Sequence, residues 1–407
     1  MRITYSSLCL AACAGAAQSF GSLDSCLWRP APPCLASCGI DDIEEPRFFT
    51  KPFERGTTKR HEKAPSKWEG PGKCAGKFCI YANRGFADGR GIVAITTSNN
   101  LNGLKKVESS FMSLSHGPAP YYIAQVPGKG LGVIANRTLH RGDTVMIQPP
   151  AVLIHRGLLE TIPPAEQYPL LDAAISQLPP ARREAFLSQM GHFGGHRIAD
   201  ILATNSFQMD LGGPAGHHYG NFPEVSRFNH DCRPNVAFRV DKTLTHTTTI
   251  VRDVAPGEEL SITYLDSTEP REKRMHRARQ AWGFTCGCSQ CQLPAKAAAQ
   301  SDRRLQEMKE IEARLADVND REITTGLLRK LVKLYKDERM EVEMGGAYTL
   351  IALNYNMLGD AKMAAKYAEL AREAVIIEGG SEAGDAEAMR VLAEAPKKHF
   401  TWRARLR

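Results

Sequence analysis

Apolar and polar positions change their period along the chain, and three regimes follow. Residues 78–97 (FCIYANRGFADGRGIVAITT) set a β-rich run on either side of a glycine-containing loop, which predicts strand, turn and strand. From Tyr122 the stretch IAQVPGKGLGVIANRTLHRGDTVMIQPPAVLIHR gives short β-rich runs broken by Gly and Pro. Between Leu158 and Met190 the period changes to a helical one, with Leu170, Leu171, Ala174, Ile175 and Leu178 on one face and a break at Pro179-Pro180. Strand-like runs return at Asn235–Val240, Thr247–Val251 and Leu260–Tyr264. From Ser301 to about Glu378, mixed charges and an apolar spacing of three and four predict helices alone. The expected class is α+β. A β-rich domain over 121–270 carries a helical insert at 158–200, and an all-helical region covers 300–407.

Composition narrows this further. With 407 residues, 43% hydrophobic and 24% charged, the chain has room for two or three folded domains, and wholesale disorder is excluded. No run approaches the roughly 20 apolar residues that cross a bilayer, so no transmembrane helix is expected. The net charge of +7 is uneven: residues 47–77 hold nine Lys/Arg against three Glu, and the last eleven residues hold five and no acid. A basic arm of this kind makes weak contact with nucleic acid or an acidic surface by counterion release. The interspersed Gly, Pro, Ser and Thr fit a solvated linker equally.

Residues 1–20 (MRITYSSLCLAACAGAAQSF) have the shape of a secretory signal, with one Arg, an apolar run and small residues at Ala14–Ala17. The segment 21–77 is a Cys- and Pro-containing basic leader, and 78–120 is a β segment with a linker. Of eleven cysteines, seven fall within 1–79 and four within 232–291. Cys26, Cys34, Cys38, Cys74 and Cys79 can form disulfides in an oxidising compartment, or stay as free thiols in a leader.

The second cysteine group carries a different chemistry. In Cys286-Gly-Cys288-Ser-Gln-Cys291 the neighbours are too close to meet disulfide geometry easily. Crowded thiolates can share one cation, and tetrahedral zinc takes four ligands. The fourth must come from elsewhere, and Cys232 is the only other Cys after residue 79. Free or disulfide-bonded thiols are the plainer alternative.

Around Cys232 stands Ser226-Arg-Phe-Asn-His-Asp-Cys-Arg-Pro-Asn235, followed by Gly257-Glu-Glu-Leu-Ser-Ile-Thr-Tyr264 and preceded by Gly128-Lys-Gly-Leu-Gly132. With the cysteine cluster at 271–293 in the post-SET position, this order over 121–292 resembles the SET-domain protein lysine methyltransferases. Thr204-Asn-Ser-Phe207 resembles the SET-and-MYND branch, although the Cys/His run of a MYND finger is absent. The leader and residues 78–92 look like a fungal branch of SET proteins. Asp231 stands where the family usually shows Ser.

The resemblance implies a β-rich SET fold with knot-like threading, a structural Zn2+ and S-adenosyl-L-methionine as methyl donor to a lysine of a protein substrate, histone or non-histone. Lys129, Gly130, Leu131, Asn205, Asn229, His230, Tyr264 and Phe284 are then the cofactor-binding positions, and Cys232, Cys286, Cys288 and Cys291 hold the metal. The residues themselves suit these tasks. Glycines let backbone approach a ligand, Asn offers donor and acceptor together, and the ring of Phe284 can pack on adenine. Tyr264 is the expected catalytic residue, because a phenol at the channel's end can orient the amine. Tyr348, Ile351, Ala352, Tyr355, Gly359, Ala364, Ala368 and Ala371 fall on the spacing of one tetratricopeptide repeat, with departures at Ala368 and Ile376. A TPR-like tail is what the SET-and-MYND resemblance implies. A non-catalytic SET-fold scaffold is the alternative function, and a monomer is expected. Localisation stays open between secretion, from the signal-like start, and the nucleus or cytoplasm, where such enzymes find their cofactor.

Overall fold

The computed structural model describes residues 67–108, 118–211, 216–241 and 243–406. The signal-like stretch, Cys26, Cys34, Cys38 and the basic positions before Lys67 lie outside the described residues.

Thirteen strands are found among the described residues. They begin with β1 (Cys74–Ala75), β2 (Phe78–Asn83), β3 (Ile92–Thr96), β4 (Tyr121–Val126) and β5 (Gly130–Ala135). Next come β6 (Thr144–Gln148), β7 (Val152–His155), β8 (Ser206–Asp210) and β9 (His217–Asn221). The last are β10 (Asn229–His230), β11 (Val236–Val240), β12 (His246–Ile250) and β13 (Glu259–Ile262). They form three sheets, in the orders β1-β2-β3-β7-β9-β8, β10-β13-β5-β4 and β11-β12-β6. The runs β3 (IVAIT) and β7 (VLIH) are buried along their whole length, as strands covered on both faces must be. The two strands read from 78–97 are β2 and β3, paired antiparallel. Cys74 and Cys79 face each other across β1 and β2 and are joined as a disulfide.

The insert supplies helices that cover the first sheet. After α1 (Ser98–Glu108) come α2 (Pro164–Ile175), α3 (Pro180–Leu187) and α4 (Arg197–Asn205). Leu170, Leu171, Ala174, Ile175 and Leu178 are all buried against Ile80, Val93, Ile95 and Val152. Pro179 precedes α3 and Pro180 opens it, a position where the missing N–H costs nothing.

Beyond the sheets run α5 (Arg271–Trp282), α6 (Ala295–Ala316), α7 (Thr325–Asp337), α8 (Met344–Met357), α9 (Ala361–Gly379) and α10 (Gly384–Glu394). Their shared core includes Leu305, Leu328, Leu331, Ile351, Tyr355, Ala364, Ala368, Ala371 and Leu392. Gly359 turns the chain between α8 and α9 at φ +81°, where an L side chain is strained. Ile377 on α9 packs with Ala237 and Val251, so the helical region rests on the third sheet. Among the described residues no helix is long and apolar enough to cross a membrane.

Candidate functional site

One strand gathers the site. On one side, β13 pairs parallel with β10 (Asn229 opposite Ser261, His230 opposite Ile262); on the other, it pairs antiparallel with β5. The buried side chain of Asn235 pins the same strand, donating to Glu259 O at 2.9 Å and accepting from Ser261 N at 2.9 Å. The GKGLG turn and the Asn229-His230 segment thus become neighbours although about a hundred residues apart.

Their side chains interlock. Asn229 Nδ2 donates to Glu259 Oε1 at 2.9 Å and to Leu131 O at 3.2 Å, while Lys129 Nζ pairs with Glu259 Oε2 at 2.6 Å. Gly132 lies under this group, and a Cβ there would sit 2.5 Å from Val126 Cγ2 and 3.0 Å from Asn229 Nδ2. Gly128 and Gly130 are at φ +73° and +79°, and a Cβ on either would meet nothing within 4 Å. The turn is therefore left-handed and open on the side away from the sheet.

Tyr264 stands two residues past the end of β13. Its backbone N–H donates to His230 Nδ1 at 3.1 Å, which leaves the imidazole proton on Nε2, pointing at Cys232 Sγ 3.3 Å away. Burial holds His230 neutral, at a pKa of about 4. The Tyr264 hydroxyl donates to Phe228 O at 2.5 Å. Burial and, secondarily, the Glu259 carboxylate push the phenol well above its usual value, so it keeps its proton. Its ring lies 5.3 Å from Trp282 and 6.3 Å from Phe284, and Phe284 lies 5.8 Å from His230. Gly283, at φ +74°, ends α5 and separates these two aromatics.

The four sulfur atoms of Cys232, Cys286, Cys288 and Cys291 are buried and lie within 4.8 Å of one another. Zn–S bonds near ~2.3 Å set the edges of a ZnS4 tetrahedron at about 3.8 Å, and Cys232 and Cys291 are 3.6 Å apart. Arg274, 1% exposed, donates from Nε to Cys232 Sγ at 3.3 Å. A buried guanidinium beside four sulfurs suits a dianionic tetrathiolate centre, so the donor set fits zinc in number, type and charge.

Of the expected residues, Lys129, Gly130, Leu131, Asn229, His230, Tyr264 and Phe284 converge, and the four cysteines gather beside them. Asn205 is engaged differently, ending α4 with its amide on Met190 O at 2.7 Å and Ile201 O at 2.9 Å. Asp231 closes a tight turn, accepting from Arg233 N at 2.8 Å. Glu259, Trp282 and Arg274 were not singled out from sequence. Glu259 lies inside the quoted GEEL segment and Trp282 two residues before Phe284, so proximity to recognised motifs was the available signal.

Comparison with known proteins agrees with this geometry. The SET domain family matches residues 130–265. Histone-lysine N-methyltransferase set5 of Schizosaccharomyces pombe is 26% identical over 298 residues, covering 69% of this chain and 85% of that protein. N-lysine methyltransferase SMYD2 of Gallus gallus is 38% identical over 81 residues, 19% of this chain and 18% of its own. Human SMYD2 is 36% identical over 99 residues, 24% of this chain and 23% of its own, so these alignments span less than a quarter of either SMYD2. Residues 130–265 thus carry a SET domain, and the chain has homology to the set5 and SMYD2 lysine methyltransferases.

Proposed function

We propose that the protein is a protein-lysine N-methyltransferase using S-adenosyl-L-methionine. The observation that carries this is the convergence on β13 of the open glycine turn, the Asn229-His230 pair and Tyr264. On this reading Lys129, Gly130, Leu131, Asn229, His230, Tyr264 and Phe284 hold the cofactor, together with Asn205 through its Oδ1, since its Nδ2 is committed to Met190 O and Ile201 O. The cofactor supplies a sulfonium-activated methyl group when bound.

The chain's own work is positioning. The Tyr264 hydroxyl spends its proton on Phe228 O, so its oxygen lone pairs are left to accept an N–H of the incoming amine. The amine's own lone pair is then turned toward the methyl donor. A phenol kept protonated by burial stays a neutral acceptor across the physiological range and does not compete as a nucleophile. Trp282 and Phe284 flank Tyr264 and limit water near the reacting nitrogen.

The four cysteines hold a structural zinc, which fixes the segment carrying Phe284 against the one carrying His230. The parallel β10–β13 pairing supports knot-like threading of the 229–235 segment. The α8–α9 hairpin, with Tyr355 and Tyr367 stacked at 5.4 Å, supports a TPR-like helical region that bounds the substrate's approach. The partner is a lysine-bearing protein, histone or non-histone, with weak further contact through the basic 47–77 arm, and the protein acts as a monomer. Incubation with methyl-labelled cofactor and a mixed protein substrate tests the assignment. Label on lysine is expected; cofactor binding with no transfer to any lysine contradicts it and favours a scaffold.

A further inference from the structure

We propose that Glu338 is the anchor through which the helical region holds the cysteine loop, so that metal retention and docking of that region depend on each other. The proposal rests on the reading of the four cysteines as a zinc site. Glu338 caps the C-terminus of α7, and its side chain is wholly shielded from solvent. Both oxygens are saturated. Oε2 accepts from Arg233 Nη2 at 2.7 Å, Ser301 Oγ at 2.7 Å and Gln290 Nε2 at 3.0 Å. Oε1 accepts from Arg304 Nε at 2.7 Å, with Nη2 at 2.6 Å.

These partners lie on both sides of the junction. Arg233 follows the ligand Cys232 and also donates to Cys232 O at 2.7 Å and Ser267 O at 3.1 Å. Gln290 sits between the ligands Cys288 and Cys291, inside the turn that Cys291 N closes on Cys288 O at 3.0 Å. Ser301 and Arg304 are on α6. One carboxylate therefore joins both metal-bearing segments to two helices, and it neutralises a guanidinium only 2% exposed. An uncompensated charge at that depth is strongly unfavourable, so the arrangement forms as a unit or not at all.

A second observation points to the same loop. Arg339 holds φ +54°, at the place where a helix usually ends in glycine. Its N–H bonds Lys336 O at 3.1 Å and the next N–H bonds Tyr335 O at 3.1 Å, closing α7. Its guanidinium reaches Ser289 Oγ at 3.1 Å, again between the ligands Cys288 and Cys291. Two consecutive residues of α7's end are thus committed to Ser289 and Gln290. Whatever stabilisation the metal gives to this docking, the docking returns to the metal.

The test uses the full chain loaded with zinc and challenged with a chelating dye that reports released metal. Glu338→Gln keeps the side chain's shape and removes the charge shared by Arg233 and Arg304. Wild type should hold about one zinc, and Glu338→Gln should release it about tenfold faster or more, the scale of outer-shell losses at metal sites. Hydrogen exchange over 325–338 should lose protection when wild type is stripped. Gln290→Ala cuts only the loop's arm and should accelerate release to a smaller extent; it decides the matter if Glu338→Gln does not fold. Zinc-loaded wild type with unchanged release from the folded variants, or exchange over 325–338 indifferent to stripping, overturns the proposal and leaves the zinc reading standing. Wild type that never holds zinc overturns both.

Discussion

At the residue scale the site is a set of short polar links between segments distant in sequence. Asn229 shows how they work, since one amide bridges the Leu131 carbonyl and the Glu259 carboxylate. Asn229→Ala should weaken cofactor binding by about tenfold, the worth of a hydrogen bond to a charged group together with the loosened turn. At saturating cofactor, turnover should change little. Calorimetric titration checks the first expectation and steady-state rates the second; equal loss in kcat and kcat/KM at unchanged affinity would place Asn229 in the chemistry instead. Tyr264, Asn229, His230 and the cysteines were legible in the sequence because each sits in a dense local motif. Glu338 was not. It is an ordinary acid in a charged helix, and its meaning comes from Arg233, whose sequence number is 105 lower.

At the element scale, runs of β-branched residues and apolar spacing located most strands and helices, and the boundaries moved where one side chain changed jobs. Asn235 begins an expected strand and stands one residue before β11; its carbonyl still accepts from Val251 N at 3.0 Å while its side chain pins β13. The expected helical region starts at Ala295 and not at Ser301; its first turns are alanine-rich and show no apolar period, although Pro294 marks their start. The α8–α9 hairpin carries an electrostatic liability. Glu378 accepts from Gly345 N at 3.0 Å, and burial pushes its pKa up to about 8, with Glu343 adding to the rise and Arg141 opposing it. The folded state therefore binds a proton that the unfolded state releases near its usual carboxyl value. Stability falls as pH rises from there toward 8, and the full penalty is present above 8. Glu378→Gln keeps the hydrogen-bond acceptor and removes the charge, so it should melt several degrees above wild type at pH 9 and alike at pH 4. Scanning calorimetry at the two pH values checks this; an equal difference at both would exclude the ionisation as cause.

At the scale of the whole molecule, the parallel pairings β3–β7 and β10–β13 were beyond sequence reading, because strand partners are chosen by tertiary packing and not by local pattern. The buried four-cysteine group, proposed to hold zinc, belongs to this scale too, since it brings the 232 segment against the 286–291 segment. Cys288→Ser should lower zinc content and melting temperature together, because a structural zinc contributes its binding energy to folding. Elemental analysis beside a thermal melt tests the link, and a stable variant that has lost its zinc would break it. On the proposed function, this architecture positions a lysine amine at Tyr264 for methyl transfer. The most direct measurement is mass-spectrometric counting of methyl groups added per lysine by wild type and Tyr264→Phe, with cofactor affinity measured in parallel. Lysine methylation by wild type is expected, with near-equal cofactor affinity in the variant and a rate or product distribution strongly altered there. Unchanged rate and methylation state in Tyr264→Phe would remove Tyr264 from the chemistry.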